Sequence, residues 1–201
     1  MNSHPAHENS EVRQNILDTG QRIMAAKGFS AVGLNEILTT AQVPKGSFYH
    51  YFSSKDAFGE AMLERYFAEY LADFDATLAK PGVTMAQRLM TYWQQWQDNQ
   101  SFLECQGKCL AVKLGAEVAD LSESMRGVLK RGTSGIVSRI AGAIEAGVAE
   151  GSMAISDDPK VVAQSLYQLW LGASVMVKIG RNVEPFEMAM MTTRQILQIG
   201  S

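Results

Sequence analysis

The chain has 201 residues, 46% of them hydrophobic, with 18 Lys or Arg against 21 Asp or Glu and a net charge of −3. That length admits one large domain, or a small domain fused to a larger one. Two cysteines, Cys105 and Cys109, are too few for a disulfide scaffold. The polar stretch Met1 to Ser10 has no apolar signal region. The longest uncharged apolar run, Leu169 to Val177, falls far short of the roughly 20 residues a membrane span needs. These features lead to an expectation of a cytoplasmic protein with no membrane partner. The acidic balance weighs against a nucleic-acid binder. Within residues 9–69, six Lys or Arg meet seven Asp or Glu. A nucleic-acid case therefore rests on where the cations sit.

Residues 1–8 read as a disordered arm. Val12, Ile16, Leu17, Ile23 and Met24 then share one face of a first helix. Lys27, Gly28 and Phe29 form a C-terminal capping signature. Leu34, Ile37, Leu38 and Ala41 mark a short second helix, and Pro44 opens a third. Phe48 and Phe52, four residues apart, face inward. Ser53 and Asp56 read as a capping box for a fourth helix that runs to about Ala79, with Phe58, Met62 and Tyr66 on its buried stripe.

Beyond Pro81-Gly82 the pattern stays helical. One helix spans about Thr84 to Gln100 and another about Lys108 to Ala119. Asp120 and Glu123 read as a capping box for a helix reaching Gly151. Asp158-Pro159 opens a helix to about Gly180, and Pro185 opens the last. The expected fold is all-α, with about nine helices and no sheet. A helix-turn-helix domain occupies residues 9–69, with the motif itself at about 32–51. A sensor and dimerisation domain occupies residues 70–201.

Three short helices before residue 53 fit a helix-turn-helix whose recognition helix is Pro44 to Tyr51. Lys45 and Lys55 lie in the first turns of the third and fourth helices. A cation beside the free N–H groups of a helix start is locally unfavourable unless it meets a phosphate. Gly46 inside a helix costs about 1 kcal/mol against alanine but permits close approach to DNA. Ser47, Tyr49, His50 and Tyr51 offer hydroxyl and ring N–H donors to phosphates. The plain alternatives are two solvated lysines, a packing glycine and tyrosines resting on neighbouring helices.

Gly28-Phe29, Leu34-Asn35-Glu36-Ile37-Leu38, Val43-Pro44-Lys45-Gly46-Ser47-Phe48-Tyr49-His50-Tyr51-Phe52 and Lys55 together resemble the TetR family signature. The resemblance implies an all-helical homodimeric repressor that binds double-stranded operator DNA. It also implies that Lys45, Gly46, Ser47, Tyr49, His50, Tyr51 and Lys55 hold the family's DNA-contact positions. Val32-Gly33 stands where the family usually carries a Thr-Ser pair at the start of helix two.

In the second half, the helix from Pro159 is apolar around most of its circumference between Leu166 and Ile179, so it is expected to be buried on several sides. With the final helix it builds a four-helix dimer interface. Lys178 interrupts that run, either as a snorkelling surface lysine or as a functional cation. Cys109 has Lys113 one turn away, which favours the thiolate; the plain reading is a small buried hydrophobe. Cys105 is placed to act as a resolving thiol. One Cys-x3-Cys and three scattered histidines do not complete a metal site, and no cofactor motif is present.

The run Cys109 to Val118, then Asp120 to Glu123, Leu169 to Ala173 and Lys178 is similar to the branch of that family that includes an N-ethylmaleimide-responsive repressor. This resemblance implies control by electrophiles or oxidants, Cys109 as the sensing cysteine, and Lys178 close to it. Modification of Cys109 would then shift the helices around it and tilt the fourth helix, so that two recognition helices no longer match two half-sites. The rival signal is a small apolar inducer held by Met90, Trp93, Trp96, Phe102, Trp170 and Met176. A helical adaptor using the same N-terminal face is a further alternative. No Ser-His-Asp set or phosphate-binding glycine loop supports an enzyme.

Overall fold

A computed structural model describes residues 5–100 and 110–200. Among the described residues there are nine α-helices and no strand: α1 (Pro5–Lys27), α2 (Leu34–Ala41), α3 (Lys45–Tyr51), α4 (Lys55–Leu78), α5 (Met85–Gln100), α6 (Leu110–Leu121), α7 (Glu123–Ala149), α8 (Pro159–Gly180) and α9 (Glu184–Ile196). Cys105, Cys109 and Phe102 lie outside the described residues.

Several boundaries differ from the sequence reading. Residues 5–8, expected in the arm, belong to α1, because Pro5 is tolerated in a first helical turn where no N–H partner is needed. Ser54, not Ser53, caps α4: its Oγ accepts the Ala57 N–H at 3.0 Å. Ser122, not Asp120, caps α7, accepting the Met125 N–H at 3.5 Å. In both cases the serine next to the helix satisfies the third-residue N–H, the ordinary N-cap geometry. Asp158 caps α8 as expected, through the Lys160 N–H at 2.8 Å, with Pro159 at the helix start.

The chain divides into two compact units that are discontinuous in sequence, Met1–Tyr66 with Gln106–Lys130, and Phe67–Cys105 with Arg131–Ser201. In the first of these units α6 packs with the N-terminal helices.

In the first unit, Ile16, Leu17, Met24, Ile37, Phe48 and Phe58 are fully buried. Phe48, Phe52 and Phe58 form one aromatic cluster with centroids 5.2–5.8 Å apart. The α1–α4 crossing is close because Gly20 has no side chain: a Cβ there would lie 2.2 Å from Phe58 Cζ. Arg65 ties the same two helices together, bonding Asp18 at 2.7 Å and Gln21 at 2.8 Å.

In the second unit, Trp93 stacks on Trp170 at 4.7 Å, and Trp170 on Phe186 at 5.8 Å. Two buried indoles find hydroxyl acceptors: Trp96 Nε1 donates to Ser174 Oγ at 2.9 Å and Trp170 Nε1 to Thr193 Oγ1 at 3.0 Å. Met90, Trp93, Trp96 and Trp170 are core residues here, whereas Met176 is 52% exposed. Within the single chain α8 buries Leu166, Trp170 and Val177 and leaves other apolar residues exposed. Val175, Met176 and Ile179 of α8 are exposed, as are Met188 and Met191 of α9.

Candidate nucleic-acid interface

The turn between α2 and α3 sets the site. Gln42 adopts φ 57°, in the left-handed region, and its N–H bonds back to the end of α2. That conformation stops α2 and lets Pro44 start α3 at a new angle. Asn15 on α1 locks the turn by donating to the Ala41 carbonyl at 2.9 Å. The result is an open groove of about 340 Å³ lined by Asn35, Thr39, Gln42, Val43, Pro44 and Lys45, among others.

Once Phe48 is buried at 0% exposure, the seven residues of α3 divide by helical geometry. Lys45, Gly46, Tyr49 and His50 are exposed, and Ser47 and Tyr51 are half-buried. Tyr49 is 54% exposed, a large value for an aromatic residue, and packs edge-on against Phe48 at 5.4 Å. His50 meets Tyr51 edge-on at 5.0 Å. A Cβ on Gly46 would meet nothing within 4 Å, so this glycine packs against no neighbouring helix. The site is a short outward face carrying one lysine, a bare backbone, a hydroxyl, two phenols and an imidazole.

Lys55 departs from the outward placement expected of it. Its ammonium donates to the Phe29 carbonyl at 2.7 Å and lies 4.5 Å from the Phe29 ring centroid. Burial pulls its pKa down, while the charges of Glu117 and Asp56 oppose that. The C-terminal carbonyl after α1 captures the cation because Gly28, at φ 96°, turns the chain over the start of α4.

Glu117 of α6 completes this junction, a role that the sequence reading does not assign to it. Its carboxylate accepts the Phe29 N–H at 3.1 Å and the Ser30 N–H at 2.7 Å. Burial pushes its pKa up. The Ser30 and Phe29 hydrogen bonds and the Lys55 charge outweigh that and leave it below the ordinary 4.5. Nothing local to Glu117 signals a role, since its partners are 87 and 88 residues away. Lys178 lies exposed in the last turn of α8.

Residues 16–62 match the family model described as bacterial regulatory proteins, tetR family, and residues 86–193 match the tetracyclin repressor-like C-terminal domain. The chain is 41% identical to the HTH-type transcriptional repressor NemR of Escherichia coli K12, across 98% of both chains. This chain belongs to the TetR family. It is a DNA-binding transcriptional repressor, as the sequence resemblance implied. The TetR-family likeness includes DhaR of Mycobacterium sp. GP1, also an HTH-type transcriptional repressor, at 32% identity over 88% of this chain and 87% of the relative. The crystal structure of the reduced form of E. coli NemR superposes with a TM-score of 0.89, covering 95% of this chain and 99% of the other. TetR-family repressors bind operator DNA and dimerise, and among the described residues no helix is long and apolar enough to cross a membrane.

Proposed function

We propose that this repressor leaves its operator when an electrophile or oxidant modifies the Cys109 thiol. The observation that carries the reading is the end-to-end likeness to NemR, of which a structure is described by its reduced form. In this chain the thiols open to an electrophile or oxidant are those of Cys109 and Cys105.

On this reading, the outward face of α3 meets the major groove. Lys45, Ser47, Tyr49, His50 and Tyr51 supply donors, and Gly46 supplies close approach. Lys55 joins them by exchanging the Phe29 carbonyl for a phosphate oxygen. The exposed apolar residues of α8 and α9 form the dimer face. Large contiguous apolar surface of this kind is buried in stable assemblies.

Coupling runs along α6. Cys109 directly precedes the first described residue of α6, Leu110, and Glu117 lies seven residues further, about 10 Å along the axis. A thiolate that adds to an alkene such as N-ethylmaleimide forms a C–S bond, and the adjacent carbon takes a proton. The added bulk at the start of α6 displaces the helix. Glu117 then pulls the Phe29–Ser30 turn, which holds Lys55 and the start of α4. The DNA-competent arrangement loses population. Cys105 serves as resolving thiol under oxidants, and Lys113, four residues from Cys109 in sequence, is the cation that favours the thiolate.

The test is anisotropy of a fluorescent duplex carrying the site that the protein selects from a random library. Stoichiometric N-ethylmaleimide should release the duplex from the native chain and not from Cys109→Ser. Equal release from both proteins contradicts the assignment of the signal to Cys109.

A further inference from the structure

The recognition helix is short. Seven residues at 1.5 Å per residue make α3 about 10 Å long, close to the roughly 12 Å width of the DNA major groove. A helix seated in that groove is flanked by the phosphates of both strands. Lys45 marks the N-terminal end. Beyond Lys45, α3 carries no lysine or arginine.

The six cations of residues 9–69 sort by partner. Lys27 is paired with Glu36 at 2.6 Å, Arg65 with Asp18 at 2.7 Å, and Lys55 is held on the Phe29 carbonyl. Among the described residues this leaves Lys45, Arg13 and Arg22 without an acidic partner. Arg13 and Arg22 are nine residues apart on α1, two and a half turns, so they lie on opposite faces. Only one of them can share the side of α1 that meets α3. That residue is Arg13: its guanidinium lies 5.3 Å from the centroid of Phe52, the C-cap of α3.

We propose that Arg13 is a phosphate-binding residue of the DNA interface, clamping the backbone strand at the C-terminal end of α3 while Lys45 engages the strand at the other end. Arg13 is exposed, and a guanidinium held beside the Phe52 ring can still turn its N–H groups to paired hydrogen bonds with a phosphate. The placement is rigid, because Asn15, two residues on, ties α1 to the end of α2 through the Ala41 carbonyl. His50 and Tyr51 close the same end of the helix. In a chain of net charge −3, a cation fixed at that place contributes field where the global charge does not.

The experiment is the salt dependence of binding to the library-selected duplex, for the native chain, Arg13→Gln, Arg13→Lys and Arg22→Gln. Arg13→Gln should weaken binding several-fold at low salt and make the log–log salt slope shallower by about 0.9 per subunit, the value for one lost phosphate contact. Arg13→Lys should keep the native slope, since it keeps the charge, and Arg22→Gln should keep both slope and affinity. Thermal melting reports whether the variants fold. A native slope in Arg13→Gln overturns the proposal. So does an equally shallow slope in Arg13→Lys, which would mean that the charge at this position meets no phosphate. An equal loss in Arg22→Gln, a general charge effect, overturns it too.

Discussion

The Ser30 amide donates to the Glu117 carboxylate at 2.7 Å across 87 residues of sequence. With the Phe29 N–H on its other oxygen, this one side chain fastens α6 to the turn after α1. Gly28 is doubly constrained by it, through φ 96° and through a Cβ position 3.1 Å from Glu117 Oε2.

Glu117→Gln should therefore lower stability. Hydrogen bonds to charged groups contribute about 1.5–3 kcal/mol when shielded, and this half-exposed site falls lower, at about 1–2 kcal/mol in total. Urea unfolding of the two proteins measures it. The pH dependence has a definite sign. The folded-state carboxyl titrates below its ordinary 4.5, so the native advantage is fully present above that value. It disappears as pH falls through the lowered folded value. The two unfolding midpoints should differ at pH 7 and converge under acid.

Gly20→Ala should destabilise the first unit. The new Cβ would sit 2.2 Å from Phe58 Cζ, and Phe58 is fully buried between Phe48 and Phe52. Overpacking of this kind costs about 1–3 kcal/mol. Thermal melting should show a lower midpoint, and operator affinity should fall with the folded fraction.

Ser174→Ala removes the acceptor of the Trp96 indole N–H inside the second unit. An orphaned buried donor costs about 1–3 kcal/mol. Calorimetry should show the loss, and Ser174→Thr, which keeps a hydroxyl, should recover part of it.

Much of this was legible in the sequence, for identifiable reasons. The helices follow a 3.6-residue apolar period, and Phe48 with Phe52 fixed which side of α3 turned outward. Tyr49 and His50 are exposed as that period required. The capping boxes were misplaced by one or two residues because runs such as Ser53-Ser54 and Asp120 to Ser122 offer several caps of equal propensity. Lys55 reads in sequence as an outward cation because it lies in the first turn of a helix, beside free N–H groups. Its acceptor, the Phe29 carbonyl, is 26 residues away and is exposed only by the Gly28 turn. Glu117 was invisible for the same reason, since backbone N–H groups leave no residue-type signature. The apolar circumference of α8 reads the same whether its own chain or a second copy covers it, so the period alone does not say which of its residues stay exposed in one chain.

That second copy supplies a further prediction. Ile179 is 70% exposed and lies on α8 near Met176. Ile179→Glu should turn a dimer into a monomer in sedimentation velocity while leaving far-UV helicity intact. Operator affinity should drop steeply, because a single half-site contact no longer gains from its twin.

The central claim is that the outward face of α3 is the surface that grips DNA. The most direct measurement is the affinity of Lys45→Gln for the library-selected duplex as a function of salt. The account predicts a folded dimer with weaker binding and a slope shallower by about 0.9 per subunit. Native affinity and a native slope in that variant would contradict it.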